Sequence, residues 1–271
     1  MEKLIEKQLR EIAKKYGIER KTGIISENLI EDSATVEEIP DYQVKLFRTR
    51  ENYLKKISLV SLRSSGEHKL KEDDEIIQEV EISNNSEVII FSSSGEAYKI
   101  KTYDIPDSKA SQMGEYIPNL LSMGSGETVL GMAVTADFGG YMLFCFENGK
   151  MAKIPLKSYE TKQNRKKLSN AFSLSSPLAK AIQLSGDYDM VAISSIGKAL
   201  VFNTAAVAEK TTKSSQGVSV MLPKKGSVLK DVLFAEESGI KNLQYYRTKN
   251  IPAKGSFLKE EDSGFEQMSL L

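Results

Sequence analysis

The chain has 271 residues, 40% of them apolar, enough for one large β domain or two smaller domains with a real core. No apolar run approaches the roughly 20 residues that span a bilayer. The charged, periodic N-terminus does not read as a signal peptide, and a single His and a single Cys cannot build a His/Cys metal site.

Residues 3–16 place Leu4, Ile5, Leu9, Ile12, Ala13 and Tyr16 on one face of a helix, with charges opposite. Lys14 and Lys15 suit its C-terminal end, and Gly17 is the expected left-handed stop. The stripe fits a docking seam, half of a coiled coil, or a helix packed on the body. Residues 18–41 read as an acidic linker with one short strand near Ile24-Ile25, closed by Pro40. Two regions follow from this: a helix and linker over 1–41, and a β domain over 42–271.

From Tyr42 onward short apolar strands alternate with polar turns. Four times an apolar strand enters a short turn and leaves as a second apolar strand with lysine in or beside it. The turn positions are Asn52, Gly95, Gly149 and Gly197, spaced 43, 54 and 48 residues. Asn52 stands where the other copies have glycine. Further strands are expected near Ile76–Ile82, Thr128–Thr135, Leu178–Leu184 and Val228–Leu233, with Ser256-Phe257-Leu258 as a closing strand. A period near 50 residues, with about four strands per unit, predicts an all-β radial array of four to five blades.

Charge is segregated although the total is zero. Residues 149–180 carry eight Lys/Arg against Glu160, residues 196–230 six Lys against Glu209, and residues 45–71 eight Lys/Arg against Glu51 and Glu67. Such blocks create local fields that the total hides. The candidate rim cations are Arg63 and Lys69 in the first connection, Lys109 in the second, and Lys162, Arg165, Lys166 and Lys167 in the third. Lys210, Lys213, Lys224 and Lys225 extend the path. Gln163, Asn164, Ser214, Ser215 and Gln216 supply hydrogen-bonding neighbours. Cations on blade edges would pair with phosphates and release counterions, giving sequence-tolerant binding of a duplex.

No constellation carries catalytic chemistry. His68 sits in a polar loop and reads as solvated, and Cys145 in a strand reads as a small buried apolar residue. Gly114, Gly124 and Gly126 spell no dinucleotide fingerprint, and no phosphate loop is present. Asp73, Asp74 and Glu75 form an acidic turn that could hold a cation or simply be solvated.

Lys15-Tyr16-Gly17-Ile18-Glu19-Arg20-Lys21-Thr22 resembles the K-Y-G-x-E-R-R-T stretch of the A-subunit of bacterial type IIA topoisomerases. Residues 69–76 and the block from Phe91-Ser92-Ser93-Ser94-Gly95 through Tyr98-Lys99-Ile100-Lys101-Thr102-Tyr103-Asp104-Ile105-Pro106 resemble that family's K-E-E-D and F-T-x-x-G-x-x-Y-x-L-K-x-Y-x-I-P blocks. Asn119-Leu120-Leu121 falls on its N-L-L. The resemblance covers essentially the whole chain and is most specific from Tyr98 to Pro106.

It implies a β-pinwheel preceded by the end of a coiled coil: a non-catalytic domain of DNA gyrase or topoisomerase IV that binds and bends duplex DNA. The implied partners are double-stranded DNA, the B-subunit, plus the catalytic core of the domain's own parent polypeptide, in the cytoplasm and without a membrane. No cofactor is expected in this chain; ATP and Mg would act elsewhere in the parent enzyme. The gyrase Q-R-R-G-G-x-G box is matched only by Arg63, Gly66 and Lys69 within residues 62–69, and Glu67 makes the loop partly acidic. That favours the topoisomerase IV type over a gyrase-type wrapping domain with a degenerate box. A propeller that binds proteins is the main alternative, and a propeller glycosidase a second.

Overall fold

The computed structural model describes residues 2–18, 40–161 and 165–262. The chain divides into two units, 1–39 and 40–271. In the first, helix α1 (Glu2–Tyr16) forms as its periodicity predicts, with Arg10 bonded to Glu6 one turn away. Gly17 follows the last helical residue, Tyr16, and is not left-handed; its N–H donates to the Ala13 carbonyl at 2.8 Å. The strand expected near Ile24-Ile25 lies outside the described residues.

Among the described residues, the second unit forms four four-stranded antiparallel sheets. Four hairpins supply their centres: β1 (Gln43–Thr49) with β2 (Tyr53–Ser58), β4 (Glu87–Ser92) with β5 (Ala97–Lys101), β8 (Tyr141–Phe146) with β9 (Lys150–Pro155), and β12 (Asp189–Ser194) with β13 (Lys198–Asn203). The four turn positions all adopt left-handed backbone, Asn52 at φ 66° and the glycines at 73–78°. Asparagine tolerates this region better than other non-glycine residues, which explains the weaker first copy.

An inner strand follows each hairpin and pairs with its first strand: β3 (Ile76–Ser83), β7 (Val129–Thr135), β11 (Leu178–Leu184) and β15 (Leu229–Phe234). These match the expected further strands to within a residue or two. In each sheet the register of that pairing shifts at the corresponding place, at Arg48/Thr49, Phe91/Ser92, Leu178/Lys180 and Ile193/Ser194. Such bulges sharpen the twist of each sheet. Neighbouring inner strands touch in series, β3 to β7 to β11 to β15, around a central cavity of about 660 Å³.

Each sheet is completed by a two-residue outer strand that comes from the following unit. β6 (Glu115–Tyr116) closes the sheet of β2, β10 (Lys167–Leu168) that of β5, and β14 (Val218–Ser219) that of β9. Among the described residues no hairpin follows the last sheet, and β16 (Ser256–Phe257) closes it from the tail.

Alternate residues of one hairpin face opposite neighbours, so both sheet faces are apolar. Val88 and Ile90 pack towards the first sheet with Leu46 and Leu54, while Ile89 and Phe91 pack towards the third with Phe144 and Phe146. The buried Cys145 belongs to the layer between the third and fourth sheets, as expected of an inert small residue; burial pushes its thiol pKa up. The free outer faces of the end sheets are also covered. Helix α2 (Leu59–Arg63) lies in the first connection, whose Leu62 packs with Phe47 and Ile57. Ile240 and Tyr246 of the tail pack on Val191 and Val201.

Gly217 precedes β14 at φ 72°, and a Cβ there would lie 1.9 Å from the Met151 carbonyl oxygen. Gly226 is equally left-handed but opens to empty space. Gly217→Ala should therefore cost more than about 2 kcal/mol, against about 1 kcal/mol for Gly226→Ala. Urea denaturation midpoints would check this, and equal losses at both sites would contradict the close approach.

Candidate nucleic-acid interface

The lysines of the repeat divide by position. Four residues after each turn come Lys56, Lys99, Lys153 and Val201, all buried. Lys56 pairs with Asp107 at 2.8 Å and donates to the Thr102 carbonyl and Asn84. Lys99 pairs with Glu87 at 2.7 Å and donates to Thr161. Lys153 pairs with Asp187 at 2.6 Å, its ammonium 4.6 Å from the Tyr141 ring centre. A buried ammonium is tolerated only with such partners. These cations are internal pins and are not available to a ligand.

Lys55 is fully buried as well, held by the carbonyls of Lys69 at 2.6 Å and Ala110 at 3.2 Å. Burial lowers its pKa, with Asp74 acting the other way. The Lys69 N–H also donates to Ala110 at 2.8 Å. The first and second connections are thus tied together, bringing Lys69 beside Lys109.

The candidate rim cations sit on the connections outside the hairpins. Arg63, Lys69, Lys109, Arg165, Lys166, Lys167, Lys224 and Lys225 are exposed. Lys162, with Gln163 and Asn164, lies outside the described residues. Among the described residues Arg63, Lys69, Lys109, Arg165 and Lys166 have no carboxylate within ion-pair distance, whereas Lys167 pairs with Glu96 and lies over the Tyr98 ring. Glu96 raises the Lys167 pKa, with Tyr98 adding to it.

Lys210 and Lys213 are half-buried. The Lys210 N–H donates to the Lys153 carbonyl. The Lys213 ammonium lies 5.7 Å from the Tyr159 ring centre, and burial followed by the nearby Lys99 charge lowers its pKa. Lys224 and Lys225 lie in a turn beside Glu147 and Asn148 at the hairpin tip of the third sheet.

One polar residue differs from its expected character. His68 is half-buried against Phe47, ring centres 4.5 Å apart, with its Nδ1 buried and unpartnered. Burial lowers its pKa, and Lys55 adds to this. The loop folds onto the first sheet, so this histidine is not the solvated residue its polar neighbours suggested. The acidic turn matches its solvated alternative, with Asp73 and Glu75 exposed; Asp74 accepts the Glu51 and Glu75 amides, and Arg50 pairs with Glu75 at 3.0 Å. Among the described residues no group of His, Cys, Asp and Glu is arranged to hold a metal, and no helix is long and apolar enough to cross a membrane.

The two-residue outer strands are too short for any periodicity. A usable signal was the glycine before three of them, Gly114, Gly217 and Gly255, all left-handed. At the tip of the second sheet, Glu127 accepts bonds from the Ser92, Ser94 and Tyr98 hydroxyls and the Gly124 amide. Burial opposes its charge, yet these donors hold its pKa down to about 2.

With the folded value depressed below the usual 4.5, the stability from Glu127 is present above about pH 4.5 and is lost as pH falls through about 2. Glu127→Gln should lower the thermal midpoint at neutral pH, and the gap from the unaltered chain should narrow between pH 4.5 and 2. A pH series of melting curves checks this; a constant gap would contradict it.

Comparison with known proteins bears out the likeness to the A-subunit of type IIA topoisomerases. No family model matches the chain. The DNA gyrase A-subunit of Borreliella burgdorferi is 23% identical over 244 residues, covering 87% of this chain and 30% of that protein. The DNA topoisomerase 4 A-subunit of Staphylococcus aureus is 24% identical over 226 residues, covering 81% and 28%. The chain therefore spans less than a third of the length of these curated relatives. In fold, it is similar to the C-terminal domain of DNA topoisomerase IV (TM-score 0.63, 21% identity, 74% of this chain and 63% of that one). It is also similar to the E. coli ParC C-terminal domain (TM-score 0.60, 17% identity, 81% and 95%). The all-β pinwheel expected from sequence is the fold observed.

Proposed function

We propose that this chain is a duplex-binding domain of a type IIA topoisomerase, holding DNA along its connections and presenting it to a catalytic core elsewhere in the parent enzyme. The observation that carries this reading is the set of exposed cations on successive connections, Arg63, Lys69, Lys109, Arg165 and Lys166, without carboxylate partners among the described residues. Unpaired surface cations spaced along a backbone-tracking path suit phosphates, and give affinity with little sequence preference. The path is curved because successive sheets are arranged around a centre, so a bound duplex would bend, and the contacts must offset that bending.

In this reading the chain does no chemistry. ATP, Mg and the cleaving residue belong to other parts of the enzyme. The partners are double-stranded DNA and, in the cytoplasm, the B-subunit together with the rest of the A-subunit. The topoisomerase IV type is favoured over a gyrase-type wrapping domain. The connection over residues 59–75 presents Arg63 and Lys69 but also the exposed Glu67, a weak cationic surface where a wrapping domain needs a strong one.

Duplex binding should weaken steeply between 50 and 200 mM salt. Removing two phosphate contacts with Arg165→Gln/Lys166→Gln should lower the log–log salt slope by about 2, with equal effect on unrelated sequences. Fluorescence anisotropy of labelled duplexes measures both. A flat slope, or no binding at low salt, would refute the DNA reading and leave protein binding as the alternative. Ligating nicked circles with the domain bound tests the subtype: a large positive-handed linking change would refute the topoisomerase IV assignment.

A further inference from the structure

The tail from residue 240 to 262 repeats the path of a connection without its hairpin. In the first, third and fourth sheets, the carbonyl four residues after the turn accepts an N–H from the following segment. Ser108 donates to Lys56 at 2.8 Å, Lys210 to Lys153 at 2.9 Å, and Thr248 of the tail to Val201 at 2.9 Å. Each contact is continued by a parallel bridge one residue earlier, Lys56 with Asp107, Lys153 with Glu209, and Val201 with Arg247. Each segment then reaches its left-handed glycine and its two-residue outer strand. The short helix α3 (Leu243–Tyr246) stands where the connections have one-turn 3-10 helices.

This correspondence puts two tail lysines on the positions of two rim candidates. Counted from the shared carbonyl contact, Lys249 follows Thr248 as Lys109 follows Ser108. Counted from strand register, Ser256 opposes Ala199 as Leu168 opposes Ala97, so Lys254 occupies the place of Lys166. Both are exposed, and neither has a carboxylate within ion-pair distance among the described residues.

The segment that carries them is firmly held. Arg247 grips Asp189 through two bonds of 2.6 and 3.1 Å. The buried Asp262 accepts the Lys241 amide at 3.0 Å and the Tyr246 hydroxyl at 2.9 Å.

We infer that the tail is a fifth phosphate-binding station, in which Lys249 and Lys254 carry the duplex past the last sheet. The inference rests on the DNA reading above. It extends the path by one unit beyond the number of hairpins, onto a segment whose own charge signal is weak: the run from 236 to 262 mixes its lysines with Glu236, Glu237 and Glu260–Asp262.

The test compares the full chain with Lys249→Gln/Lys254→Gln and with Arg165→Gln/Lys166→Gln, using a labelled 40-base-pair duplex and hydroxyl-radical footprinting. If the tail binds phosphate, raising salt from 50 to 200 mM costs the tail variant about tenfold less affinity than the unaltered chain, and its protected region is shorter at one end only. Lys249→Arg/Lys254→Arg restores both, which a structural role for the lysine stems would not require. Unchanged slope and footprint in the tail variant, with both altered in Arg165→Gln/Lys166→Gln, would overturn the fifth station and leave the DNA reading standing. If the unaltered chain binds no duplex at low salt, the DNA reading itself fails and the fifth station with it.

Discussion

The architecture depends on one constraint: no hairpin completes its own sheet. Each second strand takes its two-residue edge partner from the segment that follows, and in the first, third and fourth sheets a carbonyl contact as well. A sheet edge left open would expose unpaired backbone groups and invite association with other chains. Taking the edge strand from the next unit closes each sheet and ties neighbours together in one step. Successive apolar layers then form on both faces of every hairpin.

The lysine pins belong to the same arrangement. Lys56 and Lys153 reach from one sheet to a carboxylate of the next unit, Asp107 and Asp187, while Lys99 pairs within its own sheet with Glu87. In the last sheet Val201 replaces the lysine, and Arg247 and Asp189 form their pair nearby on the surface. A chain built this way needs a segment beyond its last hairpin, because the fourth sheet would otherwise lack both an edge strand and a cover for Val191 and Val201. The tail supplies both. That structural need fixes where the tail runs, and so where its lysines are displayed.

The division of cations is the functional consequence. Pairing and burial withdraw one set of lysines from the surface, leaving another on the connections. Among the candidates, Lys213 leans over Tyr159 and Lys167 is engaged by Glu96, whereas Arg165 and Lys166 remain open. Position relative to the hairpin therefore matters more than local charge density. A run such as 165–167 contains both a paired lysine and unpaired neighbours.

The sequence by itself determined the four hairpins, their turns and the inner strands, because period-2 apolar strands bounded by left-handed turn residues are local features. It also placed Cys145 inside a strand and supplied the family likeness through the Tyr98–Pro106 block. Tertiary structure alone decided what crosses between units. The outer strands are two residues long and carry no period, Lys55 and Lys56 look like any other cations until their carbonyl and carboxylate partners arrive from distant positions, and His68 is covered by its own folded loop. The tail's equivalence to a connection is likewise a matter of register and hydrogen bonding, since residues 243–257 share almost no sequence with residues 102–116 and yet meet the same carbonyl position four residues after a turn.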